Sequence, residues 1–264
     1  MTSGLSTEAV LTLLQETAEA VINPRFRALD EGEVTAKTHP GDLVTVADRE
    51  AEVLITRALR AAYPQALVLG EEAYAEEPGL LDAFTEAEHA FTVDPVDGTR
   101  NFVHGSPDHA VMAAEVLDGR TVRAWIWQPQ HGVAWVAERG AGLWRDGERV
   151  DAVTASGRPE DWDVRTSRRE GVGDHLGPAG PMTLSWISCG IDYPKLASGE
   201  CDALLYSGTA PWDHVPGALM MEEVGGHVGD TADPEGPAYG PRSRPAQLLA
   251  AASPEVFRTL APHA

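Results

Sequence analysis

The chain has 264 residues, 43% of them hydrophobic, with 41 acidic against 20 basic side chains and a net charge of −21 at neutral pH. That length allows one large domain or two modest ones around a packed core. The negative balance argues against nucleic acid as a partner, because binding it relies on clustered Lys and Arg, and no stretch approaches the roughly 18–20 continuous apolar residues of a membrane span.

Met1 to Glu8 lacks the basic and then apolar run of a signal peptide. The only cysteines are Cys189 and Cys201, which fits reduced thiols and a cytoplasmic protein better than a disulfide framework. Residues 6–29 carry apolar positions Leu11, Leu14, Ala18, Val21 and Ile22 at helical spacing, with Pro24 near the end. Glu31 to Asp42 is polar and rich in turn residues, and reads as a loop or short hairpin. A second helix follows, with Ala51, Leu54, Ile55, Ala58 and Leu59 on one stripe. Thr45-x-x-Asp48 before it matches a capping box, so Asp48 has a purely structural reading beside any chemical one. Ala66 to Glu72 reads as a buried strand ending in two acids, and Leu80 to Glu88 as a short helix.

Phe91-Thr92-Val93-Asp94-Pro95-Val96-Asp97-Gly98-Thr99 comes next. An apolar strand runs into two carboxylates around a proline, then a glycine and a threonine. Pro95 fixes its own φ and keeps Asp94 extended, Gly98 permits close approach of backbone to ligand, and the amides after it are placed to meet an anion. Two hard oxygen donors beside an anion-binding turn suit Mg²⁺ and phosphate. An Asp/Gly surface turn is the competing reading of the same residues. Residues 108–150 are an antiparallel meander of β-rich runs punctuated by Asp-Gly and Gly-rich turns. A boundary at 155/156 separates residues 1–155, an α+β half, from 156–264, an α/β half. The second half contains a strand at 184–188, a helix at 192–198, a strand at 202–206, a helix from Trp212 to about Val224, a strand at 247–252 and a helix from Pro254. Asp213 sits where a helix N-cap would fall.

Taken together, Asp-Leu-Val-Thr-x-x-Asp48, Gly-Glu71-Glu, Asp94-Pro-Val-Asp97-Gly-Thr-x-Asn-Phe and Pro-Trp-Asp213, in this order, resemble the inositol monophosphatase family of Mg²⁺-dependent, lithium-sensitive phosphatases. The resemblance covers nearly the whole chain. It implies an α+β fold, the layered α-β-α-β-α sandwich of the inositol monophosphatase and fructose-1,6-bisphosphatase type. It implies hydrolysis of a small phosphate monoester by a metal-activated water, with two or three Mg²⁺ ions. Glu71, Asp94 and the Val96 carbonyl would hold one ion, Asp94, Asp97 and Asp213 a second, and a third would lie near Glu71. Asp48 and Thr99 would activate the water, the amides of Gly98 and Thr99 would bind phosphate, and Lys37 would sit on a mobile loop. A small phosphorylated metabolite is then the partner, and a homodimer the assembly.

The resemblance weakens on the leaving-group side. Tyr206 stands seven positions before Asp213, where better-known members carry an acid, and Ser185-Trp186-Ile187-Ser188-Cys189-Gly190 lacks the usual Gly-Ser/Thr-Ala-Ala start. A substrate pocket around Asp97, Cys189, Asp192 and Tyr206 is therefore altered, and fructose 1,6-bisphosphate, histidinol phosphate and 3′-phosphoadenosine 5′-phosphate stand as alternatives to inositol phosphate. For a bisphosphate, Arg165, Arg168, Arg169 and Lys195 are the candidate cations. A haloacid-dehalogenase-type hydrolase would need Asp-x-Asp rather than Asp-x-x-Asp. A regulatory binding role on the same fold is the alternative from outside enzymology.

Overall fold

The computed structural model describes residues 4–30, 32–36, 43–155 and 157–264. In chain order the helices are α1 (Thr7–Thr17), α2 (Val46–Ala62), α3 (Glu71–Glu76), α4 (Leu80–Glu86), α5 (Thr99–Val103), α6 (Cys189–Ala197), α7 (Pro211–Glu223) and α8 (Pro254–Leu260). The strands are β1 (Val34–Ala36), β2 (Leu43–Thr45), β3 (Leu67–Gly70), β4 (His89–Asp97), β5 (Ala110–Leu117), β6 (Arg120–Gln128), β7 (Val133–Glu138), β8 (Gly142–Arg145), β9 (Glu148–Arg149), β10 (Val164–Thr166), β11 (Thr183–Leu184), β12 (Ala203–Tyr206), β13 (His227–Asp230) and β14 (Leu248–Ala251).

A seven-stranded sheet runs β3-β4-β5-β6-β7-β8-β9, and a five-stranded sheet runs β11-β10-β12-β14-β13. Only β3–β4, β10–β11 and β10–β12 pair parallel in these two sheets. Period-two alternation decides which layer each side chain joins. From β4, β5 and β6, Phe91, Val93, Val111, Ala113 and Trp125 pack with Val10, Leu14, Ile22, Ile55 and Leu59 of the N-terminal helices. The alternate residues Ala90, Met112, Ala114, Ala124 and Ile126 face the other way, onto Tyr193, Leu196, Leu219 and Met220 of α6 and α7. That middle helix layer meets Leu204, Tyr206, Leu248 and Ala250 of the second sheet. The sheet's far side, Ala203, Leu205, Leu249 and Ala251, is covered by Val256, Phe257 and Leu260 of α8. The result is the α-β-α-β-α sandwich expected. Each sheet comes from its own half of the chain, and one apolar cluster joins them through α6 and α7.

Several boundaries differ from the sequence reading. The helix expected over 6–29 is regular only to Thr17; a π turn over Ala18–Ile22 and a 3₁₀ turn over Asn23–Arg25 follow. Pro24 has no amide for the α-helical ladder and crowds the preceding turn, so the backbone widens before it. The hairpin expected before α2 forms from β1 and β2. Glu71 and Glu72 open a helix rather than end a strand. Strand β11 is only Thr183–Leu184, and α6 begins at Cys189, three residues before the expected Asp192. Among the described residues no helix is long and apolar enough to cross a membrane.

Candidate metal centre

Strand β4 ends in a register break. Asp94 pairs with Met112, yet Asp97 pairs with Ala110, two positions of partner against three of β4. Pro95 cannot donate to the ladder there. In a regular strand residues three apart face opposite ways; the extra residue brings Asp97 round to the side of Asp94. Both meet Asp213, in the first turn of α7, so that one carboxylate oxygen from each of the three lies within 4.8 Å of the others. Asp213 is not the N-cap, a position held by Ala210. Glu71, the first residue of α3, stands outside this triad but close enough to push up the carboxyls of Asp48, Asp94 and Asp97.

The electrostatics are those of acids crowded out of water. Burial first, then Glu71, Asp97, Asp213 and Asp48, hold the Asp94 carboxyl well above the ordinary range. Burial raises Asp97 to about 6 despite hydrogen bonds that favour its charge, and raises Asp48 to about 6. Such a set is unfavourable alone and is relieved by protons or by a hard cation. Its donors are all oxygen, which fits Mg²⁺.

Asp94, Asp97 and Asp48 are each held by a different device. Asp94 Oδ1 accepts from the Val96 amide at 3.1 Å. Asp97 is gripped by the start of α6: the amides of Cys189 (3.0 Å) and Gly190 (2.8 Å) and the Ser188 hydroxyl all donate to it. Asp48 completes the capping box with Thr45 and also receives the site, since its Oδ1 lies 3.0 Å from Thr99 Oγ1. Thr99 Oγ1 is equally 3.0 Å from the Val96 carbonyl. Gly98, at φ +80°, turns the chain into α5; a Cβ there would come within 2.9 Å of Ser188 Cβ and 3.0 Å of the Asp108 carbonyl. The capping and catalytic readings of Asp48 thus fall on different oxygens of one carboxylate.

The structure brings together Asp48, Glu71, Asp94, Val96, Asp97, Gly98, Thr99 and Asp213, with the Cys189 amide on Asp97. Asp192 and Tyr206 are placed differently. Asp192 is 1% exposed; its Oδ1 accepts from the Trp186 amide at 2.8 Å, and its Oδ2 receives the Tyr206 hydroxyl at 3.3 Å. Burial raises Asp192 to about 7. The Tyr206 ring stacks on Tyr193 and lies edge-on to His214. Tyr206 also lines a cavity of about 240 Å³ with Thr166, Arg168, Ser207 and Gln247. Of the four candidate cations, Arg165 is bonded to Asp163 and stacked on Trp186, and Lys195 is bonded to Glu200. Arg168 alone lines this cavity. Lys37 lies outside the described residues.

Three residues beyond the candidate ligands also shape the site. Ser188 holds the N-cap position of α6, and its hydroxyl donates to Asp97. Asn101 Nδ2 donates to the carbonyls of Asp108 (2.7 Å) and Trp186 (2.8 Å), tying the β4 corner to the Trp186 turn. Ile187 holds φ +57°, an unusual conformation for a β-branched side chain. That turn falls inside Ser185-Trp186-Ile187-Ser188-Cys189-Gly190, the stretch that departs from the usual Gly-Ser/Thr-Ala-Ala start.

Residues 6–263 match the inositol monophosphatase family. The chain belongs to that family. Among its relatives, a protein of Pseudomonas aeruginosa named Nus factor SuhB is 31% identical over 78% of this chain and 79% of its own length. An inositol-1-monophosphatase of Mesorhizobium japonicum is 31% identical over 72% of this chain and 73% of its own. An IMPase/NADP phosphatase solved with Mg²⁺ and phosphate superposes with a TM-score of 0.78 at 20% identity, covering 96% of this chain and 95% of that one, and so shares the inositol monophosphatase fold.

Proposed function

We propose that the chain hydrolyses a small phosphate monoester in a Mg²⁺-dependent reaction, with water as the nucleophile. The observation that carries this reading is the Asp94–Asp97–Asp213 triad beside the Thr99–Asp48 pair. Asp94, Asp97 and Asp213, with Glu71 and the Val96 carbonyl, would hold two or three ions. When bound, the cations neutralise charge on the phosphoryl oxygens and lower the pKa of water. The remaining roles belong to the chain. Asp48 Oδ1 takes the Thr99 hydroxyl proton, which leaves Thr99 Oγ1 a lone pair for a water proton. At neutral pH an Asp48 carboxyl near 6 is ionised enough to accept that proton. The left-handed turn at Gly98 clears the space in which the Gly98 and Thr99 amides would meet phosphate. A solved relative of the same fold holding Mg²⁺ and phosphate supports the assignment.

Inositol phosphate is the first substrate to test. Fructose 1,6-bisphosphate, histidinol phosphate and 3′-phosphoadenosine 5′-phosphate follow, because Tyr206 replaces the acid that reads polyol hydroxyls in better-known members. Phosphate release from this panel with Mg²⁺ is the deciding assay, and no release from any ester would refute the enzymatic reading. Inhibition by lithium and a homodimer in solution belong to the same reading. The relative named a Nus factor favours a second one, in which the fold serves as a binding protein. An Asp94→Asn variant that loses phosphatase activity but restores the phenotype of a strain lacking the protein would support it.

A further inference from the structure

Glu52 lies one helical turn after Asp48 on α2 and is 5% exposed. A buried carboxylate needs donors, and Glu52 finds them on another helix. Its Oε2 accepts from the Glu72 amide at 2.7 Å and its Oε1 from the Ala73 amide at 2.8 Å. These are the second and third residues of α3. The N-cap of that helix is Gly70, which has no side chain to supply a cap. A Cβ on Gly70 would lie 2.2 Å from Glu52 Cδ and 2.3 and 2.5 Å from its oxygens. Gly70 and Glu52 therefore act as one device: the cap arrives from α2 through the space a side chain would fill. Glu71 sits between Gly70 and the two bonded amides.

The geometry points to Glu52 as a positioning residue that fixes Glu71 at the metal centre. Successive turns of α2 then serve two parts of the site, Asp48 holding Thr99 and Glu52 holding the backbone that carries Glu71. The inference rests on the metal-dependent reading above. Residues that orient a metal ligand from behind are worth roughly 10–100-fold in metal affinity, whereas a cap that only stabilises α3 shifts melting and leaves metal affinity unchanged.

The test is calorimetric titration of the full chain with Mg²⁺ alone, without substrate, well below the melting temperature. Glu52→Gln removes the charge and one of the two acceptors. Gly70→Ala keeps the charge but drives the carboxylate from its place. Val53→Ala, at a neighbouring position 63% exposed, is the control. Both site variants should bind Mg²⁺ about 10-fold or more weakly, with the control like wild type. Wild-type affinity in both variants overturns the inference. If Glu52→Gln does not fold, Gly70→Ala decides alone by the same criterion. Absence of Mg²⁺ binding by the wild type would instead overturn the metal-dependent reading itself, and the role of Glu52 with it.

Discussion

Asp94→Asn should stabilise the metal-free protein and abolish its response to Mg²⁺. The substitution is nearly isosteric, and the amide oxygen can still accept from the Val96 amide as Asp94 Oδ1 does at 3.1 Å. What it removes is charge. Two ionised carboxylates 4.8 Å apart, the outer limit within the triad, repel by about 3.5 kcal/mol at an effective dielectric constant near 20. Partial protonation relieves some of this. At about 2–4 °C per kcal/mol for a chain of this size, metal-free Asp94→Asn should melt about 5–10 °C above wild type at pH 8. Mg²⁺ at 100 times its Kd should raise the wild-type melting temperature by a similar amount, from about 2.7 kcal/mol of binding linkage, and leave the variant unmoved. Thermal melts with EDTA and with Mg²⁺ measure both arms. A variant that melts at or below wild type without metal, or that keeps the Mg²⁺ shift, would refute the view of Asp94 as a repelled ligand.

The pH dependence has a defined sign. Asp48 and Asp97 lie at about 6 and Asp192 at about 7 in the folded chain, against 3.8 when exposed, so the folded chain keeps protons that the unfolded chain has lost. Metal-free stability should therefore fall as pH rises from about 4 to about 7, by about 3 kcal/mol for Asp48 alone; a flat stability profile in EDTA would contradict this. Gly98→Ala places a Cβ against Ser188 and the Asp108 carbonyl at a positive φ. It should cost at least about 1–2 kcal/mol of stability and, by displacing Thr99, on the order of 100-fold in turnover, measured by denaturation and by phosphate release. Tyr206→Phe removes only the hydroxyl on Asp192; a loss of about 1 kcal/mol with unchanged Mg²⁺ affinity is expected from urea unfolding and calorimetry.

The parts of the fold legible in the sequence are those with long periodic runs or dense local chemistry. In the meander, β5, β6 and β7 are announced by β-rich residues between Gly turns, whereas the short β8 and β9 are not, and α2 announces its start by Thr45 and Asp48. Strands β10 and β13 carry no such local signal. Val164–Thr166 is three residues long in a Gly- and Pro-rich stretch, and His227–Asp230 follows directly on two glycines. Both are strands because the middle of the sheet, β12 and β14, offers them a partner, which no local pattern encodes. The site divides in the same way. Carboxylates at strand and helix ends are visible as acids where apolar runs stop. Their holders, Ser188 for Asp97 and Glu52 for α3, lie 91 and 20 residues from what they grip. In sequence one looks like an ordinary serine and the other like a charge on a helix.

The placement of those holders bears on how the two halves of the chain depend on each other. Asp97 is carried by β4 in the first half, yet the donors on its carboxylate, Ser188, Cys189 and Gly190, come from the second. Asp213 and α7 come from the second half as well, while Asp48, Glu71, Asp94 and Thr99 belong to the first. Neither half alone contains a complete set of oxygen donors, and the first half alone would leave Asp97 without the amides that offset its burial. The α6 and α7 layer that delivers those amides is also the apolar layer between the two sheets. The contacts that close the core are thus the contacts that assemble the metal centre. The chain passes from one sheet to the other between β9 (Glu148–Arg149) and β10 (Val164–Thr166), and the donors on Asp97 together with the apolar α6 and α7 layer tie the two halves to each other.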